Sequence, residues 1–316
     1  SKSSRSMRAI LSILLVGLLQ GQEWPRGFKP GPSQGKYQDL GVKDGLHHYR
    51  TKHYRIDSEL ALKPSLLQKF TQSAESVAIV LEKIPLPLSA PPKADLPRIL
   101  ICADEESFIK AGGTRGAAGF YNGRSKAVLL LWSQFYPDPN SRSRLGPKAD
   151  YSILVHELAH LQMHEFLWRT RPWFFEGVAE YFAATHGNSG TFDFTKIEQK
   201  VRDRIKKHSD PQIPGNRVIK LSTLLNLDWR GWNQLVAKRE NYEVMELYSS
   251  SLLLTHFYFH GGEKRRTEVL NFLETAKKVR DHREELPRLL LAEQAGVIEA
   301  KLVKYWAPKG LKLQFQ

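Results

Sequence analysis

The sequence has 316 residues, 25% charged and 41% hydrophobic, with seven Trp, one Cys and a formal charge of +14. That length and apolar share are enough for a buried core, and the ordinary Gly and Pro contents exclude collagen-like, low-complexity and wholly disordered chains. The lone Cys102 excludes an internal disulfide and any multi-cysteine metal site, so a bound metal would need His and carboxylate ligands.

Lys2, Arg5 and Arg8 precede the apolar run Ala9 to Leu19, and Gln20-Gly21-Gln22 follows it. This layout makes residues 1–22 read as a secretory signal peptide or an anchor, with an apolar run shorter than the about 20 residues a membrane span needs. The chain is therefore expected to be exported: periplasmic, secreted, or held at a membrane or envelope by its N-terminus. Residues 23–46, rich in Gly, Pro and Gln and without a period, read as a flexible tether. Tyr49, Tyr54 and Ile56 alternate loosely and predict a strand over 47–56. Pro64 opens a predicted helix to Ile84, with Leu66, Leu67, Phe70, Ala74, Val77 and Leu81 on one face. Five prolines in 85–97 mark a loop, and Arg98 to Ala103 has the composition of a buried strand. Glu105-Glu106 suit the start of a short helix. Residues 116–121 and 126–132 read as strands joined at Asn122-Gly123. Past Pro147 the pattern is helical almost to the end. Strands first and helices afterwards predict an α+β fold, with a small strand-containing portion over 47–136 and a mostly helical portion over 137–316.

The helical portion holds His156-Glu157-Leu-Ala-His160. Residues four apart on a helix lie one above the other, so the two imidazoles can point at one ion. Glu157 then lands beside the ion's open position, where it can take a proton from water. Ile153, Leu154, Val155, Leu158, Ala159 and Leu161 surround the trio, and two mid-helix His residues add nothing to helix stability. Arg171 to Ala183 predicts a second helix with Glu176 and Glu180 on one face. Unpaired buried carboxylates are costly, so a metal accounts for one, and the other can hold a ligand His from behind. Gly177 is expected to let this helix pack closely against the first.

At this point the sequence resembles the gluzincin metallopeptidases, the thermolysin and aminopeptidase-N group with a peptidase-MA-like fold. Phe175-Glu176-Gly177-Val178-Ala179 is similar to the Asn-Glu-Gly-Phe-Ala segment that supplies their third ligand. The resemblance implies Zn2+ bound by His156, His160 and Glu176, Glu157 as general base, and a peptide or protein substrate. Fifteen residues separate His160 from Glu176, where the aminopeptidases have eighteen. The shorter link is similar to that of smaller bacterial peptidase-MA-like families, which also carry a Gly-Ala-Ala-Gly-Phe-Tyr-like hairpin before the zinc helix. These enzymes often aim a Tyr from a later helix at the developing oxyanion, in a Tyr-x-x-small-x-x-Leu pattern that Tyr248 to Leu254 fits. Helix packing is the other role open to Tyr248, and Tyr242 and Tyr258 are neighbouring alternatives. The aminopeptidase Glu that holds a substrate's amino terminus has no counterpart in Gly116 to Phe120, which favours an endopeptidase.

Other features carry plainer expectations. His164 lies too far up the helix axis to share the ion. His47, His48 and His53 read as surface residues, and Cys102 as a small buried hydrophobe. Lys196 to Lys220 holds eight Lys or Arg against three acids and reads as a solvated helix face followed by a loop. No nucleic-acid fold motif accompanies it, so nucleic acid is not an expected partner. Trp229 and Trp232 are core anchors or cleft walls. The rival function is a non-catalytic domain that keeps zinc, or only the fold, and binds an envelope or acidic partner through its basic surface. Hydrolysis of a non-peptide amide would use the same residues.

Overall fold

The computed structural model describes residues 23–93, 96–135, 151–239, 241–281, 284–290 and 294–316; the expected signal segment 1–22 lies outside them. Among the described residues no helix is long and apolar enough to cross a membrane.

Two strands in the first half are apolar on both faces: β5 (Arg98–Cys102) and β7 (Ala127–Leu131). Such strands sit in the middle of a sheet, and these two are parallel neighbours, with Ile99 opposite Val128. Beyond β5 lie β4 (Arg55–Ser58), β3 (Leu46–Arg50) and β2 (Gln38–Lys43); beyond β7 lies β6 (Gly119–Asn122), antiparallel to it. The six-stranded order is β2-β3-β4-β5-β7-β6, with β2 and β6 at the edges among the described residues. One sheet face presents Ile56, Ile99, Ile101, Val128 and Leu130 to the main core. The other presents Leu100, Cys102, Leu129 and Leu131 to a smaller cluster under the short helix α2 (Glu105–Lys110).

Helix α1 (Pro64–Lys83) packs on the main face through Leu67, Phe70, Ala74, Val77 and Leu81; Pro64 begins it, and extended Ile84 before Pro85 ends it. After the short α3 (Trp132–Phe135), the helical half follows. Helices α4 (Tyr151–Gln162) and α5 (Pro172–Thr185) are its centre, with α6 (Ile197–His208), α7 (Leu221–Asn226), α8 (Trp229–Lys238), α9 (Asn241–His260), α10 (Glu263–Lys278) and α11 (Ala295–Trp306) around them. The molecule is α+β, with the mixed sheet in the N-terminal half and helices after it.

Several local expectations are corrected. Residues 23–46 are docked and are no tether. β1 (Gly27–Phe28) pairs with β8 (Phe192–Asp193), β2 joins the sheet, and Thr71 Oγ1 donates to the Gly35 carbonyl. Gly35 is at φ +80, and a Cβ there would fall 2.4 Å from the Gln72 nitrogen, so backbone lies directly on α1. The single strand expected over 47–56 is two, β3 and β4, joined through Thr51, whose N–H and hydroxyl both bond the Tyr54 carbonyl. The β6–β7 connection is longer than a two-residue Asn-Gly turn: the Asn122 side chain accepts from the Arg124 and Ser125 N–H groups. The helical half also contains a parallel strand pair, β9 (Asn216–Val218) with β10 (Leu313–Phe315).

Candidate metal centre

Helix α4 is apolar almost all round; Leu154, Val155, Leu158, Ala159 and Leu161 are fully buried. That burial carries His156 and His160 into the interior, one helical turn apart. Helix α5 crosses beside it and brings Glu176 to the same point. The Nε2 atoms of His156 and His160 are 3.0 Å apart, and Glu176 Oε2 lies 3.1 Å from His160 Nε2 and 3.3 Å from His156 Nε2. Among the described residues this is the group able to hold a metal ion.

The donor set fits a metal. Metal–ligand distances of about 2.0–2.1 Å put neighbouring ligands of a tetrahedral ion about 3.3 Å apart, close to the observed triangle. Two imidazole nitrogens and a carboxylate oxygen converging away from water call for a shared cation. The electrostatics agree. Burial alone would lower the His156 pKa, yet Glu176 and Glu180 lift it to about 10. Burial would raise the Glu176 carboxyl, yet His160 and His156 hold it down to about 2.

The support behind the ligands is equally specific. His156 Nδ1 lies 2.9 Å from Glu180 Oε1, so the imidazole carries its proton on Nδ1 and turns Nε2 to the centre. Arg204 of α6 grips Glu180 with a fork, Nε to Oε2 at 2.5 Å and Nη2 to Oε1 at 2.9 Å. Burial would raise the Glu180 carboxyl, but Arg204 and His156 hold it well below the usual carboxylate range. His160 stacks on Phe175, centroids 4.4 Å apart and planes at 7°. Phe175 is in turn edged by Trp229, whose Nε1 donates to the Leu167 carbonyl.

Glu157 faces the edge strand β6. Desolvation raises its pKa, opposed by both His residues, and the Tyr121 backbone N–H hydrogen-bonds it. A Cβ on Gly119 of β6 would fall 2.9 Å from Glu157 Cγ, so glycine lets the strand lie against this side chain. Tyr248 of α9 has its ring centroid 6.1 Å from His156 and is edged by Trp232 at 5.5 Å. Burial first, and then the charges of Glu176, Glu157 and Glu180, push its hydroxyl well above the ordinary phenol value. Tyr242 is exposed, and Tyr258 donates to the Leu289 carbonyl, so of the three candidates Tyr248 has the contact with a ligand imidazole.

The five site residues expected from sequence are thus brought together; of the other expectations, those for His164 and Cys102 hold, and those for His48, His53 and Gly177 shift. His164 accepts from or donates to the Tyr121 hydroxyl at 2.7 Å and lies outside the donor triangle. His48 and His53 are held by buried carboxylates, Asp57 at 2.7 Å and Glu75 at 2.6 Å, instead of being free on the surface. Cys102 is buried, and burial raises its thiol to about 11. Gly177 faces α9, not α4: a Cβ there would fall 2.3 Å from Thr255 Oγ1 and 2.5 Å from the Ser251 carbonyl. Sequence reasoning missed Arg204 by treating its stretch as solvated. The signal was the period of Val201 and Ile205, fully buried, which puts Arg204 on the inward face of α6.

Compared with known protein families, curated proteins and solved structures, the chain matches none.

Proposed function

We propose that the protein is a zinc-dependent metallopeptidase, of endopeptidase type, working outside the cytoplasm. The observation that carries this is the convergence of His156, His160 and Glu176, with Glu157 beside them against the edge strand β6. Two His residues and a carboxylate suit zinc among the common biological metals, and they leave an open position. Zinc, when bound, supplies Lewis acidity and lowers the pKa of water.

The chain's own residues do the rest. Glu157, half-buried and with its pKa raised, takes a proton from the attacking water and returns it to the departing amine. An extended peptide laid along the outer side of β6, where the Tyr121 N–H bonds Glu157, would add to the sheet as one more strand. Gly119, where a Cβ would run into Ile153 and Glu157, lets β6 lie directly against the helix that carries Glu157. Tyr248, whose hydroxyl stays protonated, donates to the charge developing on the scissile carbonyl oxygen. The sequence of β6, Gly-Phe-Tyr-Asn, has no carboxylate to grip a substrate's amino terminus, which favours internal cleavage.

Glu157→Gln tests the proposal. The variant is expected to keep its zinc and lose peptide hydrolysis at least 100-fold, as loss of a general base allows. Undiminished hydrolysis would remove Glu157 from the mechanism.

A further inference from the structure

We infer that Arg204 is a positioning residue of the metal centre, acting on the ligand His156 through Glu180; the inference rests on the metal-binding reading above. Arg204 belongs to the basic stretch Lys196 to Lys220, yet its side chain is only 13% exposed and Glu180's only 5%. A buried ion pair is weak evidence for stability, because a well-packed apolar pair would serve the fold as well. Its geometry indicates a different role. Both Glu180 oxygens are engaged by the guanidinium, and Oε1 also accepts from His156 Nδ1.

A carboxylate gripped at both oxygens cannot rotate about its last bond. The acceptor that His156 sees is therefore fixed in position, and with it the plane of the imidazole and the direction of Nε2. A lysine ammonium is a point charge and cannot impose that plane, whereas a guanidinium fork can. The other basic group close to Glu180 is His208, 3.9 Å from Oε2, too far to replace the fork. Helix α6 thus serves as a wall of the metal site. The bonds that tie Arg204 to the site go to Glu180, so the inferred route runs Arg204–Glu180–His156.

The test is a double-variant cycle read as zinc affinity, by competition with a chromophoric chelator, on the full chain. Arg204→Met is expected to weaken zinc binding about 10-fold, and Glu180→Gln by 10- to 100-fold, as loss of outer partners does. In the Glu180→Gln background, adding Arg204→Met should change affinity by no more than about twofold, because its route is gone. Arg204→Lys should recover only part of the loss. The visible spectrum of the cobalt-loaded protein should shift in Arg204→Met, which a purely structural role would not cause. The double variant removes both buried charges together, so it remains a folded reference if Arg204→Met alone misfolds. Equal losses in the two backgrounds, full rescue by Lys, or unchanged affinity would each overturn the inference. A wild-type chain that binds no zinc would instead overturn the metal reading itself, and that result is seen without any variant.

Discussion

Gly177→Ala probes the joint between the helix that bears Glu176 and the helix that bears Tyr248. In an isolated helix the change would stabilise by up to about 1 kcal/mol, since Ala is the better helix former. Here the added methyl would fall 2.5 Å from the Ser251 carbonyl oxygen and 2.9 Å from its carbonyl carbon. Carbon atoms rest at about 3.5–4.0 Å, so α5 and α9 must separate by roughly 0.6–1 Å. Thr255 Oγ1, 2.3 Å away, can turn aside, but backbone cannot. Overpacking of this kind costs about 1–3 kcal/mol and outweighs the propensity gain. The expected net loss is about 1–2 kcal/mol, which lowers the melting temperature by a few degrees in a chain of this size. Glu176 is the next residue, so zinc affinity should fall as well. Thermal and urea denaturation of the metal-free protein, followed by chelator competition, measure both. A more stable variant with unchanged zinc affinity would refute the close α5–α9 contact.

Two further outcomes follow from the site. The raised His156 pKa makes the metal-free protein pH-sensitive: its contribution to stability is complete below the ordinary imidazole value and is lost as pH rises through about 10. Thermal denaturation without metal should therefore show a falling melting temperature between pH 7 and 10, while saturating zinc flattens that fall because metal replaces the proton; identical profiles with and without zinc would contradict it. Tyr248→Phe should lower kcat about 100-fold or more with KM little changed and zinc retained, as loss of an oxyanion donor does, whereas a packing role would lower the melting temperature and spare kcat.

How much of this was legible in the sequence varied with the range of the interaction. The helical placement of His156, Glu157, His160 and Glu176 depends on local periodicity, and the structure brings His156, His160 and Glu176 to one point with Glu157 beside them. Apolar runs at 98–102 and 127–131 became the buried parallel strands for the same reason. Gly177 was singled out correctly as a close-contact position, but its partner is a helix about 75 residues further on, and no local pattern says which helix will be met. Residues 23–46 look like a linker by composition, yet single contacts such as Thr71 to Gly35 and the β1–β8 pairing hold them. Pairing of β9 with β10 joins a segment near the middle of the helical half to one at its far end and leaves no local trace. Arg204 was concealed by its basic neighbours, because counting charges over a window hides which one points inward.

In the proposed function, His156, His160 and Glu176 hold one zinc ion. Elemental mass spectrometry on the full chain, stripped and then reloaded with zinc, tests it most directly when His160→Ala is measured beside the wild type. About one zinc per wild-type chain, lost in the variant, is the expected result for three protein ligands reduced to two. No retained zinc in the reloaded wild type, or equal zinc in both proteins, would contradict it.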